Sequence, residues 1–314
     1  MQLKIKPVTN TAAMRRNILI FHLGALGDFI LTWPVALALG RLFPQSRIFY
    51  VTHPEKGMLA EKAIGVESIS IEAGWHELFA DQPKLAEAAT NRLMAAQTVV
   101  SFLSDGNDQW ANNVKRISPE SLCLTISPPA RGQLDNEIHA ANYIAAQFKN
   151  YSVLSDGIEK MLSSIADRGI GRRADITGEI VVHPGSGSMK KCWPVERYIE
   201  LGSYLKNAGH AVRFVVGEVE REQMGREIIT ALEKICPVSQ PANLVELWKL
   251  IGSAKIFIGN DSGPTHLAGI MGVPTIALFG PVSSAKSWKP LGPSVQVIEG
   301  DWNQISIEKI VNCI

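Results

Sequence analysis

Cysteine is scarce in this 314-residue chain, and the few present are far apart. Cys123, Cys192, Cys236 and Cys313 form no C-x-x-C pair and no metal-ligand spacing, which argues against a disulfide framework and a zinc site. They read as ordinary reduced thiols, consistent with the cytoplasm. The seven histidines are equally scattered, with no H-E-x-x-H pattern. Charge of one sign is lacking too: 31 basic residues face 30 acidic ones, a net of +1. Neither half of the chain carries the basic excess of a nucleic-acid binder, so nucleic acid is excluded as a partner. Function must sit in local sites rather than in a global field.

A long apolar run is nearly present. From Asn17 to Gly40 the only ionised residue is Asp28, and Arg15-Arg16 stand just before, a pattern like a signal anchor. The run holds Gly24, Gly27, Asp28 and Pro34, however, and a carboxylate at the bilayer centre costs about 2.5–3.5 kcal/mol. A buried strand, a glycine turn and a helix explain these residues better than a membrane span. Hydrophobic residues make up 46% of the chain, enough for packed cores, and the length suits about two domains of roughly 150 residues.

Both halves alternate short β-rich runs with helical stretches, the pattern of βαβ units on parallel sheets. The first half offers strands over Asn17–His22, Arg47–Val51, Ser68–Ile71, Thr98–Leu103 and Leu122–Ile126, with helices over Leu31–Phe43, Lys84–Ala96 and Asn136–Lys149. The polar stretch Ser104–Ser118 has no assignable pattern. Residues 151–178 form the junction, with charge runs at Asp167–Arg168 and Arg172–Arg173 and a helix over Ser155–Asp167. The second half restarts with strand Glu179–His183. Further strands fall at Ala211–Val216, Ile256–Ile258, Thr275–Phe279 and Val295–Ile298. Its helices span Val195–Ala208, Glu220–Ile235, Leu244–Ile251, Pro264–Met271 and Ile305–Val311.

Ligands of open α/β sheets bind beyond the carboxyl ends of the strands. Three loops expected there have unusual composition. The first, His22 to Asp28, reads G-x-x-G-D, not the dinucleotide fingerprint G-x-G-x-x-G. Its glycines, Gly24 and Gly27, permit a tight turn and close ligand approach. Asp28 is equally readable as a helix N-cap or as a general base. The second, His183 to Pro194, offers two glycines, two serines and Lys190-Lys191 to an anion, but it is no Walker A loop; a solvated basic loop and a core Trp193 are the plainer alternatives. The third, Gly259 to Ala268, ends a strand and opens a helix near Pro264. There the positive helix end suits a diphosphate, and Asp261 or Ser262 can cap the same helix. Gly280-Pro281 ends the next strand in a further loop on that side.

Together, GALGDFILTWPV (Gly24–Val35), HPGSGSMKKCWP (His183–Pro194) and NDSGPTHLAGIMGVPTIALFGP (Asn260–Pro281) resemble glycosyltransferase family 9, whose best-known members are lipopolysaccharide heptosyltransferases. The likeness runs in order along nearly the whole chain and is least distinctive over residues 52–178. It implies the GT-B fold, α/β with two facing Rossmann-like domains on parallel sheets. Residues 1–155 would form the acceptor side and 156–314 the nucleotide-sugar side, with the last helix able to pack back on the first domain. It implies an inverting transferase without an obligatory metal or other cofactor. The sugar would be heptose from ADP-heptose, passed to a saccharide or glycolipid acceptor such as the lipopolysaccharide core. The enzyme would be cytoplasmic, touching the inner membrane face where its acceptor is lipid-borne.

Position by position, the resemblance makes Asp28, in the acceptor-side loop with Gly24 and Gly27, the catalytic base, and Lys191 the cation that neutralises the donor diphosphate. Gly185, Ser186, Ser188, Asp261, Ser262, Gly263 and His266 join Lys191 on the donor side, and Glu222 matches a carboxylate for the ribose hydroxyls, with Glu218 and Glu220 close by. Two departures stand out. His22 occupies a position that is often basic, which points to a less anionic acceptor, and Val282 replaces a frequent threonine near the donor phosphates. The competing readings are a nucleotide-sugar epimerase, a non-catalytic nucleotide-sugar-binding protein on the same fold and a dehydrogenase. The missing G-x-G-x-x-G counts against the last.

Overall fold

The computed structural model describes residues 17–129, 134, 138–171 and 174–314. The run NILIF forms strand β1 (Asn17–Phe21), and all but its first residue are fully buried. A strand so uniformly apolar needs cover on both faces, which a parallel sheet flanked by helices supplies. β2 (Arg47–Thr52), β3 (Glu67–Ser70), β4 (Ala96–Ser101) and β5 (Leu122–Thr125) complete a sheet of order β3-β2-β1-β4-β5. Beside β1, Phe21 meets the rings of Trp75 and Trp110 edge-on, at 5.3 and 5.0 Å between centroids. These rings and Leu19, Val51, Leu78, Leu93 and Val99 make the core of this unit.

The second sheet contains β6 (Ile180–His183), β7 (Val212–Val215), β8 (Val238–Ser239), β9 (Ile256–Asn260), β10 (Thr275–Phe279) and β11 (Val295–Glu299). Its order is β11-β10-β9-β6-β7-β8, and every recorded pairing is parallel. Read from its other edge this is the doubly wound nucleotide-binding order, and the direction of winding reverses between β6 and β9. Those strands pair His183 with Gly259, so the loops leaving them emerge side by side. The core beneath holds Trp193, Tyr198, Leu205, Phe214 and Ile258, and the last helix, Ile307–Val311, adds Ile310 to it.

Contacts divide the chain into two units, and the division does not follow the sheets alone. The second unit takes residues 129 onward together with Gly24–Val35 and Lys62–Ile64; the first takes the rest. Gly24–Val35 carries α1 (Leu26–Leu31) and the start of α2 (Trp33–Leu42). One helix was expected over Leu31–Phe43, but helix begins at Leu26 and is interrupted at Thr32. Pro34 has no N–H for the carbonyl of Ile30, and the Thr32 hydroxyl donates back to Phe29 O at 2.7 Å.

Other differences are local. The unassigned stretch after Ser104 contains helix Gln109–Ile117, whose N-cap Asp108 accepts from Ala111 N at 2.9 Å. Helix α3 (Pro54–Ile64), opened by a proline and closed by Gly65 at φ 71°, had no counterpart among the expected elements. The helix expected over Lys84–Ala96 is shorter, Glu87–Met94, and the junction helix longer, Ser152–Arg168. Of the helix expected from Asn136, Ala140–Ala146 is formed; Asn136 lies outside the described residues, as do Arg15–Arg16 and Arg172–Arg173. The second unit also carries α4 (Val195–Asn207), α5 (Glu218–Ile235, kinked at Gly225) and α6 (Gly263–Ile270).

Candidate functional site

Three loops leave the carboxyl ends of β1, β6 and β9, and short side chains bring their elements together. After β1, Ala25 caps α1, so Asp28 stands third in the helix, half-buried, rather than at the cap itself. Gly24 is exposed. Gly27 lies within the helix and makes no turn; a Cβ there would stand 3.3 Å from His266 Cδ2 and 3.8 Å from Gly263 Cα. On the other side, a Cβ at Gly263 would meet Leu26 Cβ at 2.7 Å. Gly263 is therefore what lets α1 lie against the first turn of α6, with Gly27 leaving room beside His266, and that contact carries the Asp28 turn into the second unit.

The loops after β6 and β9 are clamped by Asn260, which is fully buried. Its Oδ1 accepts from Trp193 N at 3.0 Å and from the Tyr198 hydroxyl at 2.8 Å. Its Nδ2 donates to the carbonyls of Pro184 (2.9 Å) and Gly185 (3.1 Å). All four hydrogen-bonding positions of the amide are thus used. Nothing in the sequence singled Asn260 out, because its partners come from residues 62 or more positions away. Ser186 adds a second tie, its hydroxyl donating to Asp261 O at 2.8 Å.

A single turn of 3-10 helix over Met189–Lys191 then sends two adjacent lysines opposite ways. Lys190 is exposed, while Lys191 is buried and its ammonium pairs with Asp261 Oδ2. The Ser283 hydroxyl donates to the same oxygen, and His266 Nε2 lies 3.8 Å from Oδ1. Burial alone would raise the Asp261 carboxyl; the His266 ring and the Lys191 ammonium outweigh it and hold the group well below the usual carboxylate range. Val282 is exposed, and the neighbouring Ser283 brings a hydroxyl to Asp261 from the same loop.

Beneath these loops lies a second buried acid. Glu220, on α5, accepts from Gly217 N at 2.7 Å through one carboxylate oxygen and approaches His183 Nε2 at 3.4 Å through the other. Burial would raise its carboxyl, yet the His183 ring and the Gly217 N–H hold it below the ordinary value. Gly185 is what admits it: a Cβ at that position would stand 2.1 Å from Glu220 Cγ. Glu222 is exposed one turn side away, and Ser188 is half-buried. His183 Nδ1 in turn lies 3.5 Å from the hydroxyl of Ser262, the N-cap of α6.

In the first unit, His22 ends β1 buried, and Lys56 of α3 donates to Leu23 O at 3.3 Å. Burial, reinforced by Lys56 and His53, pushes the His22 imidazole down to about 3, so it is uncharged at neutral pH. Among the described residues no group of three or more His, Cys, Asp or Glu side chains could hold a metal ion, and no helix is long and apolar enough to cross a membrane.

The profile of glycosyltransferase family 9 (heptosyltransferase) matches residues 142–312, more than half of the chain. A lipopolysaccharide core heptosyltransferase of Haemophilus influenzae, OpsX, is 24% identical over 288 residues, covering 84% of this chain and 79% of the relative. Lipooligosaccharide heptosyltransferase 2 of the same organism is 34% identical over 119 residues, a match spanning 35% of this chain and 34% of that protein. Among solved structures, the E. coli ADP-heptose lps heptosyltransferase II superimposes with a TM-score of 0.69 at 18% identity, covering 95% of this chain and 97% of that one. The two parallel-sheet α/β units are those of the GT-B fold that this likeness shows.

Proposed function

The chain belongs to glycosyltransferase family 9, and from that premise we propose that it transfers heptose from ADP-heptose to a saccharide acceptor of a surface glycan such as the lipopolysaccharide core. The names of its relatives support both substrates. The donor's diphosphate rests on the N-terminal turn of α6, at Ser262 and Gly263, where the helix end carries partial positive charge. Lys191 lies beside it and takes up the negative charge that gathers on the departing ADP as the glycosidic bond breaks. Asp28 removes the proton of the attacking acceptor hydroxyl, and the anomeric centre inverts in one displacement.

The observation that carries this reading is the seat of α1 on α6. It sets the turn holding Asp28 against the helix whose N-terminus opens beside the Lys191–Asp261 pair, so base and leaving-group residues belong to one unit. Where the acceptor is lipid-borne, the protein works at the inner membrane face. Cys192, whose thiol burial and the nearby Glu220 push up to about 11, takes no part in the chemistry.

The test is acceptor-dependent release of ADP from ADP-heptose, using a lipopolysaccharide core that ends before its heptose. Wild-type protein gives a heptosylated product by mass. Asp28→Asn binds ADP as wild type does and loses about 10²–10⁴-fold in kcat. Release of ADP that ignores the acceptor would overturn the transferase reading, and an Asp28→Asn variant with full turnover would overturn the assignment of the base.

A further inference from the structure

The segment that follows β11 braces the loop that follows β10. The two strands pair Phe279 with Glu299, and Gly300 N donates to Phe279 O at 3.1 Å. Glu299 Oε1 accepts from Ala285 N at 3.0 Å and ties down the far end of the loop. At the near end, the Trp302 ring fills the space that a side chain at position 280 would need. A Cβ on Gly280 would overlap the six-membered half of the indole. The Trp302 carbonyl also accepts from Trp193 Nε1 at 3.4 Å, two residues beyond Lys191. Residues 280–285 are thus held at both ends. Between them Ser283, whose N–H donates to Gly280 O at 3.2 Å, sends its hydroxyl to the Asp261 oxygen that pairs with Lys191.

We propose that Trp302 and Ser283 are positioning residues for the donor-side cation: the ring seated on Gly280 fixes the loop, the Ser283 hydroxyl orients the Asp261 carboxylate, and that carboxylate places the Lys191 ammonium. This rests on the reading that Lys191 meets the diphosphate. A lysine is a compact charge on a flexible four-carbon stem, so its partner decides where the charge stands. The ammonium carries three protons; one goes to Asp261 and the others remain for phosphate oxygens. The Asp261 main chain is already fixed, its N–H donating to Leu278 O at 3.1 Å and its carbonyl accepting from Ser186. What is left to set is the side-chain torsion. His266 approaches the other carboxylate oxygen, so on the one that Lys191 uses, Ser283 is the second side-chain donor among the described residues. Val282 beside it is 53% exposed and offers no donor. Charge on the departing ADP grows toward the transition state, so a displaced ammonium costs turnover more than it costs donor binding.

Acceptor-dependent ADP release from ADP-heptose tests the device. Ser283→Ala should lower kcat about 10- to 100-fold, the cost of a small misplacement, while changing the donor KM far less. Ser283→Thr, which keeps the hydroxyl, should retain most of the turnover. Trp302→Ala should lower kcat in the same way and Trp302→Phe, which keeps a ring on Gly280, should not; Trp302→Leu replaces the alanine variant if that one melts early. Because both residues act through one contact, the Trp302→Ala/Ser283→Ala double variant should be no slower than the poorer single one. Losses that multiply, or a Ser283→Ala defect confined to KM, would refute the coupling. Adding Val282→Thr to Ser283→Ala should recover nothing, and recovery would overturn the assignment of the hydroxyl to position 283. Nitrogen NMR of the lysine ammonium groups in the ligand-free protein, with Lys191→Met identifying the signal, needs no turnover. The Lys191 signal should move in Ser283→Ala and Trp302→Ala but stay in place in Ser283→Thr and Trp302→Phe; a signal unmoved in all four would sink the proposal. Absence of transfer by the wild type would sink the transferase reading instead, and the NMR result would still decide whether the two residues place Lys191.

Discussion

Replacing Lys191 by methionine keeps the length of the side chain and removes its charge, leaving Asp261 ionised, buried and short of its closest cation. Among the described residues, the Asp261 carboxylate retains the Ser283 hydroxyl and the His266 ring as side-chain partners. Breaking one side of a buried pair costs about 3–5 kcal/mol, because the orphaned charge stays desolvated. For a unit of this size, at roughly 2–4 °C per kcal/mol, the melting temperature should fall by roughly 6–20 °C. The loss should depend on pH in a definite direction. In wild type the carboxyl sits below its unfolded value of about 3.9, so its stabilisation is present above that pH and is lost as pH falls further. In the variant, burial is no longer outweighed to the same degree and the carboxyl rises, so the penalty grows with pH and is smaller at pH 4.5 than at pH 7.5. Adding Asp261→Leu should restore most of the stability without restoring transfer, since well-packed apolar replacements of buried pairs are often neutral. Denaturant melts of the single and double variants at both pH values, beside an ADP-release assay, are the measurement. A Lys191→Met protein as stable as wild type at pH 7.5, or a penalty independent of pH, would refute the reasoning.

Four further outcomes follow from the same contacts. Asn260→Ala strands two carbonyls, an amide and a tyrosine hydroxyl at about 1–3 kcal/mol for each buried orphan, so a denaturant melt should show a loss of at least about 3 kcal/mol; a loss below about 1 kcal/mol would mean the loops are clamped by something else. Gly263→Ala drives a methyl into Leu26 and should cost about 1–3 kcal/mol from overpacking while lowering kcat through the displaced Asp28 turn; an unchanged kcat would separate the two helices functionally. His22 should keep a pH-independent ring carbon shift from pH 8 to 5, because its folded value is about 3. The unfolded chain takes up that proton below about 6.5, so stability falls as pH drops from there, and His22→Gln should flatten the slope. Cys192 should resist alkylation at pH 7.5 far longer than Cys313 does, as read by mass spectrometry.

The sequence by itself determined the class of fold and the three loops. Runs such as residues 18–21 and 256–258 are apolar throughout, as a two-sided cover demands, and each gives way to polar residues and glycine before the next helix. Lys191, Asp261, Ser262 and Asp28 could be named as candidates because the family resemblance rests on three motifs that contain them. Short helices opened by a proline or an aspartate, such as Pro54–Ile64 and Gln109–Ile117, were legible in principle from their caps but are masked by polar composition. What only the tertiary structure decided is which residue of a cluster turns inward. Of Lys190 and Lys191, and of Glu220 and Glu222, the chain presents near-identical chemistry, and a single helical turn or the space left by Gly185 makes the selection. The roles of Asn260 and Gly263 belong to the same category. Each depends on partners distant in the chain that the β6–β9 pairing or the seat of α1 on α6 brings within a few ångströms, and no local pattern records such a distance.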